Sequence, residues 1–232
     1  MENGFYSPEE LYKLGLKSIG KGVLLSKKAS LYGVDSIQIG NYVRIDDFVI
    51  LSGKVHIGDY VHIGAGTICS GGDEGVEIQD YVGISSGCKI LSVSDDYSGE
   101  SMANPMIPAK YRNITAKHLI IHKHCLIGTT SVILPASGGL AEGVSVGALS
   151  LVMRPTKPFG IYFGIPAKRI ANRSKAFLML EQEFLADRES TQTDSTHNTC
   201  KLGSKTAAAH KTIHTENPDS TKELINPMGG GH

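Results

Sequence analysis

The stretch "VHIGDYVHIGAGTI", Val55 to Ile68, decides the fold when it is read in steps of six. Ile57 and Ile63 fall on one beat, and Ile39, Ile45 and Leu51 continue it toward the N-terminus. Residues 39–68 parse as IGNYVR, IDDFVI, LSGKVH, IGDYVH and IGAGTI. Position one is aliphatic, position five is Val or Thr, and position two is often Gly, with Asp or Ser as substitutes. The beat resumes as IQDYVG and ISSGCK over 78–89, then as IHKHCL, IGTTSV and ILPASG over 121–138. After a slip of one residue it continues as LAEGVS and VGALSL, 140–151, and Ile19, Leu25 and Leu31 fit it more loosely. Self-similarity at a fixed period is the signature of a repeat architecture.

A period of six matches neither a helix nor plain strand alternation. It fits a short strand followed by a turn, three times per coil, with position one pointing inward and the small position five filling a corner. Gly or Asp at position two is expected to take the backbone angles that β-branched residues resist. Parallel hydrogen bonds would stack the coils about 4.8 Å apart. Ten or more units in register predict a mainly β protein, a left-handed parallel β-helix of hexapeptide repeats, an exception to right-handed crossover connections. Cys88 and Cys125 fall at position five and read as buried corner residues.

Off the beat, residues 1–18 hold a capping helix over 7–14: Ser7 is the N-cap, Pro8 the first helical residue, Glu10 closes a capping box and Gly15 ends it. The β-helix takes 19–172, interrupted by an excursion loop at 92–118, a length that is more often functional than not. "PTKPFGIYFGIPAKRI" is expected to leave the prism, and 173–188 reads as an amphipathic helix. Residues 189–232, rich in Ser, Thr, His and Lys, read as a poorly ordered tail.

The chain has 232 residues, and its 23 basic and 23 acidic side chains balance. Charge therefore gives no reason to expect nucleic acid or an anionic membrane as a partner. No apolar run reaches the roughly 18 residues of a membrane span. The start, "MENGFYSPEELYKLG", lacks the regions of a secretion signal, and the four cysteines have no metal or redox spacing. A cytoplasmic protein is expected. The 27 glycines, without a collagen period, point to many tight turns.

The register also places side chains. Three extra residues at "GGDEG" make a bulge between Ile63 and Ile78. Allowing for it, Ile45, Ile63 and Ile84 stack, Arg44, His62 and Gly83 form one outward column, and Asp46, Gly64 and Ser85 form another. His62 then faces outward between an arginine and a bare glycine, with room beside it for a ligand. His56 sits elsewhere, between Gln38 and Glu77. His122 and His124 are expected to face out, and their spacing with His118 makes a poor metal site. Ile50 and Ile68 share a third outward column that a lone prism would expose.

These residues resemble the hexapeptide-repeat acyltransferases, specifically the galactoside and xenobiotic acetyltransferase group, over roughly residues 19–172. The resemblance rests on the repeats, on the excursion after Ile90, and on "VGALSLVMRPTKPFGIYFGIPAKRI", which is similar to the group's closing coil. "DDFVILSGKVHIGDYVHI" and "SVSDDYSGESMANPMIP" resemble members that acetylate nucleotide-linked amino sugars or surface polysaccharides. The resemblance implies acetyl-CoA as co-substrate, no metal, a sugar acceptor, and a homotrimer with sites between neighbouring prisms. It implies that the backbone near Thr129 and Ala148 lines the pantetheine arm, and that Arg154, Lys168 and Arg169 meet the CoA phosphates, which cations hold best.

The chemistry needs a base for the attacking group and donors for an oxyanion. Galactoside-type members use a histidine in the excursion loop, where this chain has Asp95 and Asp96. Either His62 is the base, oriented by a loop aspartate of the same or an adjacent chain, or an aspartate acts directly. The first is favoured, with Arg44 disfavouring the protonated ring. Arg44, Gly83, Ser85 and Tyr97 are the candidate sugar contacts. "ILPASGGLAEG", one residue longer than the usual repeat, is expected to bulge a coil close to the CoA groove. Two other readings stay open: a non-catalytic scaffold prism, and a zinc hydratase of the carbonic anhydrase type, whose G-H-x4-H-G signature this chain lacks.

Overall fold

The computed structural model describes residues 4–188. They divide into two compact units, one ending at Phe177 and the other beginning at Leu178. The reading of 189–232 as a tail lies outside the described residues. In the second unit, 178–188 is helical. No helix among the described residues is long and apolar enough to cross a membrane.

The first unit is a three-sided parallel β-helix. On its first face Leu24–Leu25, Arg44–Ile45, His62–Ile63, Gly83–Ile84, Leu126–Ile127, Ser145–Val146 and Gly160–Phe163 stack in parallel. The other two faces are joined round a corner by the long strands Ile50–Ile57 and Ile68–Ile78, which pair with each other. The "GGDEG" bulge sits in that pair, where Gly53 meets Gly72 and Val55 meets Val76. Three inward columns fill the prism: Ile45, Ile63, Ile84 and Ile127; Leu51, Cys69, Ile90 and Ile133; Ile39, Ile57, Ile78 and Ile121. All are almost fully buried. Cys88 and Cys125 are buried too, and burial pushes the Cys125 thiol up to about 12. That makes it a packing residue rather than a nucleophile.

The turn chemistry differs from the sequence reading. The left-handed backbone falls at position four of the repeat, at Tyr42, Phe48, Tyr60, Tyr81, His124, Thr130 and Leu149, and at Gly66, Gly87 and Gly143. Position-two glycines have ordinary φ and serve closeness instead. A Cβ on Gly40 would lie 2.6 Å from the Gly58 carbonyl oxygen, one on Gly64 2.7 Å from the Ser86 nitrogen, and one on Gly128 2.5 Å from the Ala148 nitrogen. A non-glycine residue in the left-handed region costs about 1–2 kcal/mol. At one corner stacking offsets that cost. The rings of Tyr42, Tyr60, Tyr81 and His124 form a ladder with centroids 5.1, 5.3 and 5.2 Å apart, a spacing at which aromatic pairs attract. His124 is consequently buried, not outward-facing.

The helix Pro8–Tyr12 is shorter than the pattern suggested, but its capping box is complete. Ser7 Oγ accepts from the Glu10 N–H at 3.2 Å, and the Ser7 N–H donates to Glu10 Oε2 at 2.7 Å. The excursion leaves after Lys89–Leu91, opens with Val93–Ser94 antiparallel to Thr115–Ala116, and rejoins at Leu119–Ile121. One expectation needs correcting. Gly160–Phe163 stays on the prism as one more parallel strand, and only Lys168–Asn172 reverses beside it. The long repeat forms a 3-10 turn, Pro135–Ser137, closed by Gly138 at φ 70°. It lies at the corner between the second and third faces, whereas Thr129 and Ala148 lie between the first and second.

Gly40→Ala should destabilise the prism by about 1–3 kcal/mol, the usual cost of overpacking, because the contact it creates is with backbone that cannot move aside. Thermal unfolding checks this; an unchanged Tm would contradict the close-approach role.

Candidate functional site

The first face carries a shallow outward groove of about 340 Å³, lined by His62, Gly64, Gly83, Ser85, Ser86, Leu126 and Thr129. The strand register builds it. Arg44 lies opposite His62, His62 opposite Gly83, and Gly83 opposite Leu126. The absent side chain at Gly83 leaves the space beside the imidazole that the sequence suggested.

His62 is held by a residue on the neighbouring coil. Its Nε2 lies 2.8 Å from Asp46 Oδ2, while Arg44 Nε donates to Asp46 Oδ1 at 2.7 Å. Arg44 and Asp46 flank the inward Ile45, so strand alternation turns both outward. Within the chain, the carboxylate that contacts His62 is Asp46, and no aspartate of the same chain's loop does so. Arg44, expected to act on the imidazole, is engaged with that carboxylate instead. Burial alone would raise the Asp46 carboxyl, but hydrogen bonds from Arg44 and His62 outweigh it and hold it below the ordinary carboxylate range. An ionised Asp46 favours the tautomer of the neutral ring that has its proton on Nε2, and in that tautomer Nδ1 has a lone pair that can accept a proton. His62 is half exposed and Asp46 only 20% exposed, so the imidazole reaches solvent while the carboxylate that holds it is sheltered.

The excursion loop stands apart. It departs from the corner between the second and third faces, and none of Asp95, Asp96 and Tyr97 lines the groove. Asp96 is spent on the loop itself: its carboxylate accepts from the Ser98 N–H and from Ser101 Oγ, each at 2.8 Å. Those bonds, Ser98 first, lower its pKa. The Asp95 carboxylate accepts no hydrogen bond among the described residues, and Tyr97 is 92% exposed.

Of the residues expected to meet CoA, Thr129 and Ala148 lie on adjacent coils at one corner and are both exposed. The Leu149 N–H donates to the Thr129 carbonyl at 2.9 Å. Thr129 also belongs to the groove, so a chain laid along this corner would end beside His62. Lys168 and Arg169 share the last strand, whereas Arg154 follows Leu151–Val152 on the second face. His118 is bonded to the Glu74 carbonyl and His122 to Gln79. Among the described residues no three His, Cys, Asp or Glu side chains are grouped to hold a metal ion. Sequence reasoning missed the Asp46–His62 pair, Ser86 and Leu126; the diagonal cross-strand neighbour rule would have found the first.

The stacked six-residue coils define a hexapeptide-repeat β-helix, with an outward histidine–carboxylate pair beside a groove. The bacterial transferase hexapeptide family (six repeats) matches residues 36–71. The chain is 45% identical to the dTDP-4-amino-4,6-dideoxy-D-glucose acyltransferase of Escherichia coli over 178 residues, 75% of this chain and 92% of that protein. Among solved structures it is 46% identical to AntD, an N-acyltransferase from Bacillus cereus. The complex of AntD with dTDP and 3-hydroxybutyryl-CoA superposes with a TM-score of 0.79, covering 81% of this chain and 99% of that one. A serine variant of AntD bound to dTDP-4-amino-4,6-dideoxyglucose and coenzyme A gives 0.79, 81% and 100%. The chain belongs to the hexapeptide-repeat acyltransferases.

The Asp46 carboxyl is lower in the folded chain than in the unfolded one. Its pairing therefore stabilises the fold at neutral pH, and that contribution is lost as pH falls below the ordinary carboxylate value of about 4. Asp46→Asn should accordingly flatten the fall of Tm between about pH 5 and pH 3. Parallel curves for variant and parent would contradict the pairing.

Proposed function

We propose that the protein transfers an acyl group from acetyl-CoA to the amino group of a nucleotide-linked amino sugar, dTDP-4-amino-4,6-dideoxyglucose or a close analogue. The observation that carries this is the His62–Asp46 pair beside a groove lined by His62 and Thr129. The 45–46% identity to enzymes of this acceptor class supports it. His62 Nδ1 takes a proton from the acceptor nitrogen as that nitrogen attacks the thioester carbonyl. The tetrahedral intermediate collapses, the C–S bond breaks, an amide forms, and the CoA thiolate leaves and gains a proton. Acetyl is the donor group we propose; the 3-hydroxybutyryl-CoA in the AntD complex makes a longer acyl group the natural competitor.

Asp95 is the second functional residue of this reading. The serine and the aspartate substituted in the AntD structures stand ten positions apart, as Ser85 and Asp95 do here, and Ser86 and Asp96. Only Asp95 has its carboxylate uncommitted. We take the assembly to be a homotrimer that covers the outward column of Ile50 and Ile68 and brings one chain's loop to its neighbour's first face. The cytoplasm, where nucleotide sugars and acyl-CoA are made, is the proposed location, and surface polysaccharide synthesis the proposed use.

A thiol-release assay tests the function. Acetyl-CoA with the dTDP-linked 4-amino sugar should give turnover, and the 4-hydroxy counterpart should give none. Preference for the hydroxy sugar, or for 3-hydroxybutyryl-CoA, would overturn the corresponding part. His62→Ala should lower kcat by roughly 10²–10⁴, the span of general-base catalysis, with little change in the KM for acyl-CoA. Near-normal turnover in that variant beside a dead Asp95→Asn would move the base to the loop. Light scattering should give three chains per particle; a stable monomer would remove the shared site.

A further inference from the structure

The excursion loop holds a groove of about 590 Å³, away from the His62 face, whose walls are 99–102 and 110–113. Two bonds clamp the walls together: the Met102 N–H donates to the Tyr111 carbonyl at 2.9 Å, and the Asn113 N–H to Ser101 Oγ at 3.1 Å. Ser101 Oγ in turn donates to Asp96, so Asp96 builds the groove and stands next in sequence to Asp95.

Arg112 lines this groove, and its Nε is buried without an acceptor among the described residues. Leaving such a donor unmet is costly, and more so when it belongs to a charged group. Lys110 adds a second cation, lying over the Tyr111 ring at 4.7 Å. Glu100 is the acidic side chain of the lining and forms no ion pair with either cation. The demand here is for acceptor oxygens carrying negative charge. Met102 and Tyr111, each about half exposed, add an apolar wall. Guanidinium and ammonium beside an apolar wall suit a nucleoside diphosphate better than a bare inorganic anion.

We infer that the groove around Arg112 and Lys110 binds the diphosphate of the nucleotide-linked acceptor. The inference rests on the proposed function, and it gives the excursion loop two tasks, holding the nucleotide and presenting Asp95. The CoA phosphates are the other source of the same chemistry, and the experiment separates the two.

Binding of dTDP and of free CoA to the full-length protein is measured by calorimetry, alongside the KM for each substrate. Arg112→Met should weaken dTDP roughly tenfold or more, the loss expected for a charge-assisted hydrogen bond, and raise the acceptor KM in step. CoA affinity should stay within about twofold, a change too small to reflect a lost bond of that kind. Lys110→Gln should act in the same direction but less, and Arg112→Lys should recover part of the loss. Weaker CoA with unchanged dTDP would hand the groove to the donor and overturn the inference, as would no change in either. Equal loss for both ligands with a lowered Tm would make Arg112 structural. If Arg112→Met does not fold, Lys110→Gln and Arg112→Lys decide: unchanged dTDP binding in both overturns the assignment. A parent protein that turns over while these variants match it defeats this inference alone, whereas a parent that binds neither dTDP nor CoA defeats the proposed function first.

Discussion

Backbone contact between successive coils is the constraint on which the molecule depends. At Gly20, Gly40, Gly64 and Gly128 one coil lies so close to the next that a single methyl group would meet main-chain atoms. That closeness lets the parallel hydrogen bonds of all three faces form in one register, and it aligns the buried inward aliphatic columns. Every outward side chain then has a fixed height and bearing. A side chain mounted on such a wall keeps its geometry.

His62 shows what the mount provides. Asp46 reaches it diagonally across one coil spacing, and Arg44 holds the far oxygen of the same carboxylate. The three groups form an ordered set: a cation positions an anion, and the anion positions an imidazole. Close packing of the β-helix thus sets the geometry of these three groups through strand alternation and coil stacking, both of which descend from the six-residue beat.

Much of this was legible in the sequence. The beat gave the columns Arg44–His62–Gly83 and Asp46–Gly64–Ser85, because strand register follows the inward aliphatics and a slip of one would turn them out. The corners were not legible. Tyrosine and histidine are poor advertisements for a left-handed turn, and at one corner the ring ladder through Tyr42, Tyr60, Tyr81 and His124 explains why they occupy it. His124 was misread for that reason. The Asp46–His62 pair was missed because each column was read by itself, whereas the contact runs between columns. The roles of Asp95 and Asp96 could not be separated by composition; local hydrogen bonding separates them, since Asp96 closes the loop and Asp95 does not.

The central claim is that the first face, at His62, is where acyl donor and amino sugar meet. A crystal structure with coenzyme A and the dTDP-linked amino sugar bound together tests it most directly. The account predicts the CoA thiol and the sugar nitrogen side by side in the His62–Ser85–Thr129 groove, with the nitrogen within hydrogen-bond reach of the imidazole. Both ligands meeting on another face, with His62 bare to solvent, would contradict it.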